Sequence, residues 1–183
     1  MAEKTVKIPG GVEVMQQGST LVVRGPKGEL SRDFASTKVM AEAGADAVRF
    51  RSADDRRKTL AILGTFAAHV KNMITGVTTG WECSMKIVYS HFPIKISVEG
   101  DGVVIQNFMG ERSARRAATV GHAKVIAGKT DIGVSGISKE EVGQTAANIE
   151  LATKVRGFDK RVFQDGCYII GQCRPASVEA SGK

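Results

Sequence analysis

One order of segments occurs twice along this chain, and that repetition limits the folds open to it. The first half opens with strand-like alternation: Val12, Val14 and Met15, then Leu21-Val22-Val23, then Leu30 and Phe34. Gln17-Gly18 and Gly25-Pro26-Lys27-Gly28 separate these runs. Short apolar alternations broken by Gly, Pro and polar residues read as strands joined by turns. A further strand is expected over 47–51, leading to Ser52-Ala53-Asp54-Asp55, which has the Ser-x-x-acid form of a helix start. Leu60, Leu63, Ala67, Val70, Ile74 and Val77 then recur at spacings of three and four. They form one apolar stripe on a helix expected to end near Gly76 or Gly80, and covering a sheet explains the stripe completely.

The second half repeats the plan. Strands are expected over 81–89 and 94–98, with Gly100-Asp101-Gly102 as a hairpin turn before Val103-Val104-Ile105. Shorter strands are expected within 112–118, 123–127 and 131–134. Ser138-Lys139-Glu140-Glu141 supplies a second Ser-x-x-Glu start, and Val142, Ala146, Ile149, Ala152 and Val155 give a second inward face ending at Gly157. The helix ends are alike: Asn72-Met73-Ile74-Thr75-Gly76-Val77 against Thr153-Lys154-Val155-Arg156-Gly157-Phe158, 81 positions on. That interval is too long for a solenoid repeat and suits two copies of a domain of strands plus one helix. The expected class is therefore α+β: two tandem similar domains, 1–79 and 80–183, each an antiparallel sheet with a packed α-helix.

The composition narrows what such a pair of domains can do. Twenty-one Gly against four Pro fits many tight turns between short strands. The formal net charge is +7, with a pI of 9.5, which favours a polyanionic partner because each phosphate neutralised releases condensed counterions. Aromatic residues are only 5% of the chain, too few for a protein that reads single strands mainly by stacking. No run nears 18 consecutive apolar residues and no charged-then-apolar leader opens the chain, so a cytoplasmic protein without a membrane partner is expected. Cys83, Cys167 and Cys173 form no CxxC pair and lack zinc-knuckle spacing; all three read as buried small hydrophobes, with no metal and no cofactor.

The basic excess divides evenly, four over the first 80 residues and three over the rest, so only local clusters discriminate. Arg112, Arg115 and Arg116 fall within five residues, and Lys124 and Lys129 follow. Lys154, Arg156, Lys160 and Arg161 gather where the second helix ends. Arg49, Arg51, Arg56, Arg57 and Lys58 form a third cluster, diluted by Asp54 and Asp55. A solvated charged face is the plainer reading of each cluster taken alone. Phosphate binding would use Arg forks and Lys point charges, with Gly110, Gly121 and Gly128 allowing close backbone approach.

An enzyme finds nothing to stand on. Ser90 and His91 are adjacent and therefore on opposite strand faces. His69 falls within the first helix, and His122 stands in an expected turn, Gly121-His122-Ala123. There is no HExxH, GxSxG or phosphate-loop pattern, and Gly25-Pro26-Lys27-Gly28 lacks the GK[ST] ending. Two rivals remain beside an RNA binder. One is an enzyme with a basic groove, which needs clustered titratable groups in a pocket; the other is a protein-only module using sheet edges.

A further signal is the stretch Gly80-Trp81-Glu82-Cys83-Ser84-Met85-Lys86-Ile87-Val88-Tyr89-Ser90-His91-Phe92-Pro93-Ile94. This stretch resembles the ribosomal large-subunit protein six family in its archaeal and eukaryotic branch, the archaeal side more so. Val142-Gly143-Gln144-Thr145-Ala146-Ala147-Asn148-Ile149-Glu150 and Arg161-Val162-Phe163-Gln164-Asp165-Gly166 resemble it too. Ile8-Pro9, the Gly25–Gly28 turn and the mid-chain helix match in order and spacing, so the resemblance covers essentially the whole chain up to the looser tail after Gly166. It implies a structural, non-catalytic constituent of the large ribosomal subunit, with neighbouring ribosomal proteins and 23S-type ribosomal RNA as partners and no small-molecule substrate. It also implies that the C-terminal domain is the main RNA binder, near the sarcin–ricin loop and the translation-factor-binding region, while the N-terminal domain faces solvent or protein. The expected RNA contacts are Arg112, Arg115, Arg116, Lys124, Lys129, Gln144, Asn148, Lys154, Arg156, Lys160 and Arg161. Gln144 and Asn148 enter as amides on one helix face.

Overall fold

The computed structural model describes residues 2–44, 46–100, 102–159 and 161–176. The chain divides into two compact units, 1–80 and 81–183. Six strands and one helix make the first: β1 (Glu3–Lys7), β2 (Glu13–Gln17), β3 (Thr20–Gly25), β4 (Gly28–Asp33), β5 (Val39–Ala43), β6 (Ala47–Ser52) and α1 (Arg57–Thr78). They pair antiparallel into two three-stranded sheets, β1-β6-β5 and β2-β3-β4. The unit thus has two small sheets where alternation alone suggests one, because β6 pairs back to β1 across the intervening hairpins.

α1 holds the two sheets over one core. Leu63, Val70, Met73, Ile74 and Val77 are buried on its inner face against Leu21, Val23, Val48 and Phe50. Phe66 adds an edge-on ring contact with Phe34, centroids 5.1 Å apart. By length and composition alone α1 could cross a membrane, but this face is seated in the unit's own core. Two expectations about α1 are corrected. Leu60 points outward, 37% exposed, and Thr59 is buried instead. The residue before the helix is Arg56, with no side-chain cap, and Ser52 does not start the helix. Ser52 closes β6, where its hydroxyl accepts the Ala2 N–H at 3.0 Å, so the Ser-x-x-acid pattern there is fortuitous.

The β3–β4 hairpin turns at Pro26-Lys27, with Gly25 opposite Gly28. The turn packs against the end of α1: the Lys27 N–H donates to the Val77 carbonyl at 2.9 Å, and the Lys27 ammonium donates to the Thr79 carbonyl. A Cβ on Gly25 would stand 2.7–2.9 Å from Val77, carbonyl oxygen included. Gly25 is there because the backbone leaves no room for anything larger.

The second unit contains β7 (Trp81–Val88), β8 (Lys95–Glu99), β9 (Gly102–Gln106), a single 3-10 turn at Phe108–Gly110, β10 (Arg115–Ala118), β11 (Lys124–Ala127), β12 (Asp131–Gly136), α2 (Lys139–Ala152), β13 (Gly166–Ile169) and β14 (Arg174–Pro175). Again there are two antiparallel sheets and one helix: β10-β9-β8, and β11-β12-β7-β13 with β14 also on β7. β7 is the spine. Trp81, Cys83, Met85 and Ile87 point inward in strict alternation, and they meet Val142, Ala146 and Ile149 of α2 in one core.

Sequence and structure agree at the start of α2. Ser138 is the N-cap, and its hydroxyl accepts the Glu141 N–H at 3.3 Å. The helix stops at Ala152, short of Gly157. Thr153 turns its hydroxyl back to the Ile149 carbonyl and also accepts the Cys167 N–H at 2.9 Å, so the next segment joins β13. Val155 is buried, but beyond the helix. Cys83 and Cys167 are buried as expected; Cys173 is only partly so. In the hairpin between β8 and β9, Asp101 lies outside the described residues, and Glu99 faces Gly102.

Candidate nucleic-acid interface

The segment between β9 and β10 begins with an unusual backbone. Asn107 and Met109 have φ of 58° and 51°, and Gly110 follows at 77°. Left-handed non-glycine residues cost free energy and persist only where their surroundings fix them. Asn107 donates from its amide to the Pro93 carbonyl at 3.2 Å, Phe108 is fully buried, and Phe92 covers Gly110.

Arg115 completes the clamp. Its Nε and Nη2 donate to the two Glu111 carboxylate oxygens at 2.8 and 2.5 Å. Its Nη1 donates to the Ala152 carbonyl at 2.9 Å and the Lys154 carbonyl at 3.2 Å. Its guanidinium carbon sits 4.3 Å from the centre of the Phe108 ring. Carbonyls at a helix C-terminus lack intrahelical donors and carry partial negative charge, so a cation there is favourable. With four of its five N–H groups occupied in this way, Arg115 ties the strained segment to the end of α2. The Arg115 carboxylate contact also holds the Glu111 carboxyl below the ordinary range, more than burial raises it.

Its neighbours in the cluster differ. Strand alternation turns Arg116 to the opposite face of β10, where it is exposed; Arg112 is exposed in the preceding loop. Arg116 and Arg156 meet at a shallow depression floored by Leu151 and Ala152, and exposed Lys154 lies beside the same helix end. Lys124 and Lys129 are exposed as well, but on β11 and the β11–β12 turn, at the edge of the other sheet. Arg161 is exposed in the loop before β13, its N–H donating to the Asp159 carboxylate. Lys160 lies outside the described residues.

A second clamp was not visible in the sequence. Glu141, Thr145 and Asn148 lie at spacings of four and three on one face of α2, and each holds a backbone group of the β10–β11 loop. The Glu141 carboxylate accepts the His122 N–H at 3.0 Å, the Thr145 hydroxyl accepts the Val120 N–H at 3.0 Å, and the Asn148 amide donates to the Ala118 carbonyl at 2.9 Å. Gly121 at φ 57° passes so close that a Cβ would overlap the Glu141 carboxyl. Gln144 and Asn148 do share a face, with Gln144 donating to the Asn148 oxygen at 2.9 Å, but the Asn148 amide is committed to Ala118. Only the periodicity of polar groups on α2 could have hinted at this row.

In the first unit the basic cluster is partly neutralised. Arg51 lies 3.7 Å from Glu3 and 3.6 Å from Glu42, and Arg56 lies 3.6 Å from Asp54. Among the described residues no group of three His, Cys, Asp or Glu side chains could hold a metal ion.

Exposed basic side chains on and beside two clamped loops, within an arrangement of two sheets and one helix that occurs in both units, make this a protein of two tandem α+β units with a charged surface on the second. The chain belongs to the ribosomal protein L6 family, whose model matches residues 8–80 and again 92–166, once in each unit. Members of this family are structural proteins rather than enzymes, and they reside in the cytoplasmic ribosome. The large ribosomal subunit protein uL6 of Ignicoccus hospitalis is 50% identical over 172 residues, covering 91% of this chain and 92% of its own length. That of Methanothrix thermoacetophila is 49% identical over 173 residues, 93% of this chain and 98% of its own, and that of Archaeoglobus fulgidus is 47% identical over 173 residues, 92% and 88%.

Proposed function

We propose that this chain is a structural constituent of the large ribosomal subunit that binds 23S-type ribosomal RNA through its second unit, near the sarcin–ricin loop and the translation-factor-binding region. The observation that carries this reading is the gathering of exposed Arg116, Lys154 and Arg156 at the end of α2, which Arg115 ties to the β9–β10 loop that carries exposed Arg112. Lys124, Lys129 and Arg161 are further exposed cations of this unit, Lys160 is kept as a candidate contact, and Gln144 offers an exposed amide. Arg115 and Asn148 leave the list of direct contacts and become positioning residues. Phosphates and 2′-hydroxyls on a folded RNA suit such a surface better than a base-by-base code. The first unit faces solvent or neighbouring ribosomal proteins.

The test is a salt series on the full chain with a large-subunit RNA fragment carrying the sarcin–ricin loop. Log affinity should fall by roughly 0.7–0.9 per phosphate neutralised for each unit of log salt. Replacing Arg112, Arg116 and Arg156 together by Glu should weaken binding and flatten that slope; Arg56→Glu with Arg57→Glu should do neither. The opposite result would move the RNA site to the first unit. Binding indifferent to salt would favour a module that docks on protein alone.

A further inference from the structure

Cys83 and Cys173 come from distant parts of the chain and meet at β7. β14 pairs with β7 in the register Arg174↔Glu82 and Pro175↔Trp81. One step back along that register, Cys173 falls opposite Cys83. Cys83 belongs to the inward row of β7 and is 1% exposed; Cys173 is partly open to solvent and packs on the same core cluster. The Cys173 sulfur lies beneath α2, 3.9 Å from where a Cβ on Gly143 would stand. Burial, the Cys173 thiol beside it and Glu150 together push the Cys83 thiol up from its ordinary range. Directly opposed residues in an antiparallel pair have Cα atoms about 4.5–5.5 Å apart. Disulfides span about 4.4–6.8 Å.

We propose that Cys173 is a thiol-modification site that reacts with low-molecular-weight disulfides and resolves onto Cys83, closing a cross-strand disulfide between β14 and β7. The Cys173 thiolate attacks one sulfur of R–S–S–R, forming Cys173–S–S–R and releasing R–S⁻, which takes up a proton. The Cys83 thiol then gives its proton to solvent and its sulfur attacks the Cys173 sulfur, releasing the second R–S⁻. Both cysteines are oxidised, and the small disulfide is reduced to two thiols. Cys173 is the entry because it alone of the two reaches solvent. The second step is the slower one, because the buried Cys83 gives up its proton reluctantly. Cys167 stays out of the exchange: it is buried, its thiol is pushed up to about 11 by burial, and its register partner on β7 is Ile87.

Oxidised glutathione added to the reduced full chain, followed by intact mass and peptide mapping, tests this. The expected record is one transient glutathione adduct at Cys173, replaced by a species lighter by two hydrogens in which Cys83 and Cys173 are linked and which a dithiol reverses. Cys83→Ser should arrest the reaction at the Cys173 adduct, and Cys173→Ser should abolish it. An adduct that persists on the unmodified chain, a link involving Cys167, or full reactivity after Cys173→Ser would each overturn the proposal. Because the unmodified chain alone gives the linkage map, a poorly folding Cys83 variant does not protect the idea.

Discussion

Arg115 and Glu111 form a two-pronged ion pair, 2.5 and 2.8 Å between donor and acceptor, that locks the loop before β10 against the end of α2. The remaining Arg115 donors reach two backbone carbonyls, so the side chain works as a strut and not as a free cation. Replacing Arg115 with Ala should destabilise the second unit by about 1–3 kcal/mol, since its charged hydrogen bonds to Glu111 and to two backbone carbonyls are lost together. Lys should not rescue it, because an ammonium cannot reproduce the planar fork. Arg116→Ala, one residue on, should stay within about 0.5 kcal/mol of the parent. Chemical denaturation of the three variants checks the contrast, and equal losses at 115 and 116 would refute it.

The same pair makes a pH prediction. Arg115 lowers the Glu111 carboxyl below 4.5, so the folded state holds the carboxylate more tightly than the unfolded chain does. The stabilisation is therefore fully present above the unfolded value of about 4.3 and disappears as pH falls through the lower folded value. Glu111→Gln should melt earlier than the parent at pH 7, with the gap closing in the most acidic buffers. The gap should be modest, because the pair is partly exposed. A melting difference that is constant across pH would assign the loss to shape rather than charge.

What the sequence disclosed and what it hid follow the range of the interactions. The inward row Trp81, Cys83, Met85 and Ile87 was readable because alternation is a property of one strand. Ser138 was readable as a cap because its partner, the Glu141 N–H, is three residues away. Ser52 has the same local pattern and a different role, since its partner Ala2 is distant in sequence. The split of each unit into two sheets depends on pairings such as β1 with β6, which no local pattern encodes. Arg115 and Arg116 could not be separated by counting charges; alternation puts them on opposite faces, but only Phe108 and the end of α2 say which face is occupied.

Gly25 offers a steric test in the first unit. A methyl group there would press on Val77, including its carbonyl oxygen, at 2.7–2.9 Å. The carbonyl belongs to α1 backbone and cannot swing aside, so the hairpin must retreat and loosen the Lys27 N–H bond to it. Gly25→Ala should cost about 1–3 kcal/mol, the usual range for overpacking. Ala at Gly18, where nothing lies within 4 Å but φ is 63°, should cost only the backbone strain, about 1 kcal/mol. Paired thermal melts separate the two.

Gly121 combines both effects, and a double-mutant cycle takes them apart. At φ 57° any other L-residue is strained, and a Cβ would also strike the Glu141 carboxyl. That carboxyl sits at the end of a flexible side chain, so it can move, but moving it releases the His122 N–H that it accepts. Gly121→Ala alone should therefore lose about 2–3 kcal/mol, the strain plus one hydrogen bond to a charged group. In a Glu141→Ala background the bond is already gone and the space is open, leaving only the strain of about 1 kcal/mol. The two substitutions should be non-additive by about 1–2 kcal/mol, with the pair more stable than the sum of the singles predicts. Additive losses would mean that Glu141 does not hold the β10–β11 loop, and that the loop depends on Thr145 and Asn148 alone.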